Sequence, residues 1–164
     1  PLHSSAASDV YKRQMLEPDN AQSQQGLLAV LIASGQVSSA SALISEMLKK
    51  DPASVALWQQ RANLALQTQN AERALSSLET SIRLGDNNPQ NRLAAALLHM
   101  RQENFDRASQ LLKRNIDDSE IDPASLYPLV IWMIRQNAID HANSLINAIR
   151  GSVLTVPRLS LIHI

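Results

Sequence analysis

The sequence predicts an all-α fold, a solenoid in which antiparallel helix pairs are stacked one after another along the chain. The first observation is a set of alanines that recur every 34 residues, Ala40, Ala74, Ala108 and Ala142. The second is an apolar stripe that follows these alanines at helical spacing. The third is composition: 45% of the 164 residues are hydrophobic but only 3% are aromatic. An interior of Leu, Ile and Ala suits close helix packing, and a fixed period of this length is typical of stacked helix pairs.

Each of the four alanines is predicted to be the first buried residue of the second helix of a pair. The stripe Ala40, Ile44 and Leu48 has the i, i+4, i+8 spacing of one helix face. It recurs as Ala74, Leu78, Ile82 and as Ala108, Leu112, Ile116. Three residues before each alanine stands an apolar or small residue expected to pack at the start of that helix: Val37, Ala71, Phe105 and Ile139.

The first helix of each pair lies upstream of the second, and short polar turns join the two. Its core is marked in the four units by Leu27, Leu28, Leu31; Trp58, Ala62, Ala65; Ala95, Ala96, His99; and Leu129, Val130, Met133. Gly35 supplies a residue that tolerates a positive φ after the first of these helices.

The connections between units contain helix-start signals. Residues 51–54 and 122–125 both read Asp-Pro-Ala-Ser, in which Asp is expected to cap a helix that Pro begins. These copies are 71 residues apart, three more than twice the period, so the acidic stretch 117–122 is expected to lengthen the third connection. Pro128 predicts that the fourth first helix is short or kinked.

Both ends of the chain are unlike the repeat. Residues 1–14 and 158–164 resemble translated sequencing-adapter sequence, and we expect them to be non-native or disordered. The repeat domain is expected over 15–157, with repeats at about 21–54, 55–88, 89–122 and 123–156. Residues 15–20, which include Pro18, resemble the tail of a preceding unit, so the chain is expected to be a fragment of a longer array.

Composition and motifs argue against most kinds of chemistry. The formal net charge is +0, so no nucleic-acid partner is expected, and no apolar run approaches the roughly 20 residues that span a bilayer. There is no cysteine, which fits either the cytoplasm or a bacterial periplasm. His99 and His141 lack an HExxH context, the stretch 117–122 lacks the glycine of a calcium loop, and no G-x-S-x-G occurs. The sequence therefore predicts no catalytic residue, no metal and no cofactor.

These residues together resemble the tetratricopeptide-repeat (TPR) family. The period and all four alanines match the family pattern; Trp58 matches its first-helix aromatic, whereas Gln24, Arg92 and Leu126 do not. Ala62 and Ala96 suit the small position at the helix crossing, and Pro18 and Pro52 suit the closing proline. The resemblance covers about residues 16–151 and implies a right-handed superhelical solenoid of four repeats that presents a concave groove.

The resemblance implies that first-helix residues not used in packing line this groove. They are Gln22, Gln25, Ala29, Ile32; Ala56, Gln59, Asn63, Leu66; Gln90, Leu93, Leu97, Met100; and Tyr127, Ile131, Ile134. The early amides could pair with the backbone of a bound peptide, and the later apolar residues could hold a hydrophobic side chain, or could instead pack against a following helix. The family's carboxylate-gripping lysine and arginine columns are missing.

The implied function is a non-enzymatic scaffold that binds protein or peptide segments. The alternatives are a regulatory or substrate-recruiting arm of a larger glycosyl- or sulfotransferase-type enzyme, and part of a bacterial polysaccharide or pilus export assembly. Identity of the partner, oligomeric state and compartment stay open at this point.

Overall fold

The computed structural model describes residues 21–118 and 121–162, and within them it contains α-helices, one 3-10 helix and no strand. The elements are α1 (Ala21–Ala33), α2 (Val37–Lys50), α3 (Val55–Gln67), α4 (Ala71–Arg83), α5 (Pro89–Arg101), α6 (Phe105–Asp117), a 3-10 helix (Pro123–Leu126), α7 (Tyr127–Arg135) and α8 (Ile139–Ile162). The predicted all-α class and the pairing of helices are confirmed.

The 34-residue period of the sequence is also a period of the backbone. The second helices begin at Val37, Ala71, Phe105 and Ile139, as predicted. Phe105 is buried at its helix start, but Ala71 and Ile139 are exposed, so the expectation that each of these residues packs there is wrong for those two. Two first helices and the 3-10 helix begin at Val55, Pro89 and Pro123, again 34 residues apart. The key alanines Ala40, Ala74, Ala108 and Ala142 are all 0% exposed, so each one lies where a larger side chain would not fit.

The turn inside each helix pair adopts one conformation four times. Its second residue has a left-handed φ: 72° at Gly35, 58° at Gln69, 59° at Glu103 and 61° at Asn137. The following N–H donates to a carbonyl five residues back, as from Gln36 to Leu31 at 2.9 Å and from Asn70 to Ala65 at 2.8 Å. This is the Schellman ending of a helix, which favours glycine. The positive φ expected at Gly35 is confirmed, and three larger residues adopt it with some strain.

The chain divides into two compact units, residues 1–84 and 85–164. In the described part of the first unit, α2 packs on α1 and α3, and α3 packs on α4. One apolar cluster joins α1, α2 and α3, with Leu28, Ala40 and Ile44 fully buried and Leu57 and Leu64 added from α3. In the second unit α6 packs on α5 and α8, and α8 packs on α7. Met133, Ala142, Leu145 and Ile149 are fully buried there.

The two Asp-Pro-Ala-Ser copies do not play the same part. Asp122 caps the 3-10 helix as predicted, and its carboxylate accepts from the N–H of Ala124 at 3.1 Å. The prediction for Asp51 is wrong, because α3 begins at Val55 and its cap is Ser54, whose hydroxyl accepts from the N–H of Leu57 at 3.3 Å. Since α2 continues through Lys50, Asp51 ends that helix, and its own N–H donates to the carbonyl of Met47.

The expectation of a longer third connection is also wrong. Residues 118–122 match the preceding connection, 84–88, in length, because Pro123 follows Pro89 at the repeat distance. The prediction of a short fourth first helix is confirmed. Pro128 lies in the first turn of α7, where its missing N–H leaves no bond unmade, and the 3-10 helix occupies the preceding residues.

The predicted ends of the domain are only partly described. Helix α8 continues past residue 157 to Ile162. Residues 1–14, the segment around Pro18, and residues 163–164 lie outside the described residues, so the expectations for them stay predictions.

Candidate functional site

The predicted groove residues occupy four repeating positions, of which three recur in all four repeats and together form what we call the first-helix face; the fourth position is that of Gln22, Ala56 and Gln90. The three sets are Gln25, Gln59, Leu93, Tyr127; Ala29, Asn63, Leu97, Ile131; and Ile32, Leu66, Met100, Ile134. Within one helix the three positions follow the i, i+4, i+7 spacing, which places them on one side. The sequence has no charged residue at any of them.

Most of the first-helix face is open to solvent in its own unit. Large apolar side chains are exposed at Ile32 (36%), Leu66 (40%), Leu97 (36%), Tyr127 (41%), Ile131 (49%) and Ile134 (48%). Elsewhere in residues 21–118 and 121–152, only Val30 and Ile139 are large apolar residues with comparable exposure. Gln25 and Asn63 are exposed, Gln59 and Leu93 are half-buried, and the other predicted lining residues, Gln22, Ala29, Ala56 and Gln90, are exposed.

Met100 departs from this pattern. It is 1% exposed, so it belongs to the interior of the second unit and does not line an open face. Its unbranched, flexible side chain adapts to an interior position more readily than the branched side chains at the same repeat position, Ile32, Leu66 and Ile134. Periodicity placed the residue correctly on the helix but did not determine where its side chain goes.

The two units present different chemistry on this face. In the first unit, amide groups of Gln25, Gln59 and Asn63 accompany the apolar Ile32 and Leu66. In the second unit, Leu97, Tyr127, Ile131 and Ile134 make it almost wholly apolar. Each unit therefore offers an uncharged surface, polar in one case and hydrophobic in the other.

The two histidines within the repeats, for which the sequence predicted no metal or catalytic role, have hydrogen-bond partners. His99 is buried, with Nδ1 3.3 Å from Nδ2 of Asn104. Nε2 of His141 lies 2.5 Å from Oδ1 of Asp106. Across residues 21–118 and 121–162, no three His, Asp or Glu side chains are grouped so that they could hold a metal ion.

The structure contains two arginine clusters that the sequence pattern did not predict. In the first unit, Arg61 and Arg73 lie where α2, α3 and α4 meet. In the second, Arg92 is 1% exposed and forms an ion pair of 2.6 Å with Asp118. The available signal was the period itself, because Arg61 and Arg92 stand at positions where the other repeats have uncharged residues. These are Leu27, Ala95 and Leu129 for Arg61, and Gln24, Trp58 and Leu126 for Arg92.

Comparison with solved structures gives the fold its name. YrrB, described as a TPR protein with an unusual peptide-binding site, superposes with a TM-score of 0.64 at 16% identity, over 87% of this chain and 74% of YrrB. A tetratricopeptide repeat protein from Parabacteroides merdae superposes with a TM-score of 0.66 at 16% identity, over 93% of this chain and 61% of that one. The chain has the tetratricopeptide-repeat fold.

The assignment of the fold depends on structure, since no protein-family model and no curated protein matches this sequence. At this identity the likeness establishes the fold and leaves the partner to be argued from the residues. Within the described residues, no helix has the length and apolar character needed to cross a membrane.

Proposed function

We propose that this TPR chain is a protein-interaction scaffold that holds a segment of another protein against its first-helix face and carries out no chemistry itself. The observation that carries the proposal is the recurrence of exposed large apolar side chains at the same repeat positions. Apolar surface that recurs in register differs from isolated exposed hydrophobics, which are ordinary on any protein.

The chemistry of the face indicates the kind of segment. The amides of Gln25, Gln59 and Asn63 can donate to and accept from the backbone of an extended or helical peptide. Leu97, Ile131 and Ile134 suit one or more apolar side chains, which supply most of the affinity in such interfaces. Because the face lacks charge, the proposed ligand is a neutral segment with an apolar anchor rather than an acidic tail.

The comparison with YrrB supports the class of function, because that TPR protein is described as having a peptide-binding site. The competing use of the face is to pack against a following helix of the same protein. Partner binding and internal packing differ in whether the first-helix face can bind a separate peptide in solution.

A displayed library of random 12-residue peptides, selected on this chain, separates the two. We expect enriched peptides with a shared apolar residue whose affinity falls on the order of tenfold or more in Leu97→Asp. Ile139→Asp is the matched control, since Ile139 is 43% exposed but lies outside the first-helix face.

Circular dichroism of each variant keeps the outcomes distinct. Loss of peptide with unchanged helicity and melting temperature in Leu97→Asp supports the proposal. Failure to enrich any peptide, or collapse of the fold in Leu97→Asp but not in Ile139→Asp, overturns it in favour of internal packing.

A further inference from the structure

The second repeat contains a polar pair at positions that are apolar in the other repeats. Arg61 stands where the others have Leu27, Ala95 and Leu129, and Ser77 stands where they have Leu43, Leu111 and Leu145. Leu27 is 6% exposed, Ala95 0% and Leu111 2%, so these positions normally form the helix-pair core. Ser77 remains 0% exposed, while Arg61 is half-buried.

Hydroxyl groups hold the Arg61 side chain in place. Its Nη1 donates to Oγ of Ser77 at 2.6 Å and to Oγ of Ser76 at 3.2 Å. Both hydroxyls in turn donate to the backbone carbonyl of Arg73, at 2.7 and 3.1 Å. The guanidinium also lies 5.4 Å from the ring of Trp58, a cation–π distance.

Arg73 brings a second positive charge to the same place. Its Nη1 donates to Oγ of Ser41 on α2 at 2.7 Å. Burial, with the charge of Arg73 as a second cause, lowers the pKa of Arg61 from its ordinary value. No carboxylate forms an ion pair with either arginine within residues 21–118 and 121–162.

Each guanidinium keeps donors available. A guanidinium has five N–H donors, and in both arginines the described hydrogen bonds use only Nη1. None of their nitrogens is among the buried polar atoms without a partner, so the remaining donors reach solvent. Two neighbouring guanidinium groups that repel each other are suited to binding an anion. The anion would accept paired hydrogen bonds from their N–H donors and offset both positive charges.

An open cleft of about 300 Å³ leads to these donors, lined by Arg61, Asn70, Glu72, Arg73 and Ser76, which we call the arginine cleft. Glu72 is exposed and makes no ion pair with either arginine in the part of the chain described. A smaller cavity of about 60 Å³ shares Arg61, Asn70 and Arg73 and extends to Ser41. The volume accommodates a carboxylate or a phosphate group.

We propose that the arginine cleft binds an oxyanion, the carboxylate of an acidic side chain or a phosphate, carried by a partner protein. The cleft is separate from the first-helix face, because Arg61 is two residues from Gln59 and from Asn63 and so lies roughly 160–200° around α3 from them. The proposal does not depend on the neutral segment proposed above.

The test follows the Nε–H signals of arginine in ¹H–¹⁵N spectra during titration of this chain with inorganic phosphate and, separately, with acetate. We expect saturable shifts at Arg61 and Arg73 and none at Arg107. Arg107 occupies the position of Arg73 one repeat later, and its Nη1 donates to Gln110 at 3.2 Å. Saturation by phosphate alone assigns a phosphate, by acetate alone a carboxylate, and by both an oxyanion of either kind.

Variants connect the shifts to the cleft. Arg73→Gln should raise the Kd for the anion about tenfold or more, whereas Arg107→Gln, which removes the same charge, should leave it unchanged. The double variant Arg61→Leu/Ser77→Leu introduces the apolar pair that the first repeat has at these positions. It should fold but should not bind the anion. Absence of saturation with both anions, equal shifts at Arg107, or unchanged binding in Arg73→Gln overturns the proposal, and peptide binding to the first-helix face would stand in any of these cases.

Discussion

Arg61 in the second repeat and Arg92 in the third both place a guanidinium where the other repeats have an uncharged residue, but their surroundings differ. Arg92 is almost fully buried, with Nε donating to Oδ1 of Asn115 at 2.6 Å and Nη2 donating to Oδ2 of Asp118 at 2.6 Å. Asn115 donates in turn to the carbonyl of Pro89 at 2.9 Å. Arg61 is half-buried and faces neutral hydroxyls and a second arginine.

The difference separates a structural arginine from one available for binding. A buried cation with a carboxylate and an amide has its charge balanced inside the fold, and breaking such an arrangement is costly. A half-buried cation without a carboxylate keeps its attraction for an external anion. We therefore expect mutation of Arg92 to act on stability, and mutation of Arg61 or Arg73 to act on binding.

The largest expected effect comes from Arg92→Ala. It removes a buried side chain and leaves Oδ1 of Asn115 without its donor, so we expect a loss of about 2–4 kcal/mol in the free energy of unfolding. Urea unfolding followed by circular dichroism measures it. Arg114→Ala is the control, because Arg114 is 58% exposed and 4.0 Å from the same carboxylate, and should change stability by less than about 0.5 kcal/mol. Equal losses of stability in Arg92→Ala and Arg114→Ala would contradict the view that Arg92 is a structural residue.

Next in size is overpacking at the helix crossing of the second repeat. Ala74 is 0% exposed, so Ala74→Leu should lower stability by about 1–3 kcal/mol in thermal or urea unfolding. Ala71→Leu, three residues earlier on an exposed position of the same helix, should stay within about 0.5 kcal/mol. An unchanged free energy of unfolding in Ala74→Leu would mean that the helices of the second repeat do not cross as closely as this buried alanine indicates.

A smaller effect, which raises stability instead of lowering it, is expected from glycine in the turns of the second and third repeats. Gln69→Gly and Glu103→Gly relieve a left-handed φ and should each stabilise the chain by about 0.5–1 kcal/mol. Gly35→Ala, at the equivalent position of the first repeat, should destabilise by a similar amount. Loss of stability in both glycine variants would contradict the assignment of a common turn.

The smallest effect on stability is expected from Arg61→Leu/Ser77→Leu. An apolar pair replaces a polar one at positions that are already apolar in the first repeat, so the free energy of unfolding should stay within about 0.5 kcal/mol of the parent's. A loss comparable to that of Arg92→Ala would make Arg61 a structural residue as well.

The repetition in the sequence predicted the features that repetition specifies. The period located the key alanines, the starts of the second helices and the turn at Gly35, because every repeat needs the same close crossing and the same helix ending. It could not distinguish Asp51 from Asp122, since the end of the preceding helix determines the role of each. It also could not predict that Met100 is buried.

The polar clusters were missed for a related reason. Arg61 and Ser77 are 16 residues apart, and Arg92 and Asp118 are 26 apart. An apolar stripe identifies residues that follow the repeat pattern, whereas the polar side chains of these clusters depart from it. The four repeats differ from one another at the arginine positions, and the structure shows whether each arginine has a charged partner inside the fold.

The central claim is that a partner segment binds to the first-helix face, and methyl NMR tests it most directly. With labelled Ile, Leu and Val methyl groups and a selected peptide, the account predicts intermolecular contacts at Leu97, Ile131 and Ile134 of the second unit. It predicts none at Ile139, which is comparably exposed in the same unit but outside that face. Contacts spread evenly over all four residues, or confined to Ile139, would contradict it.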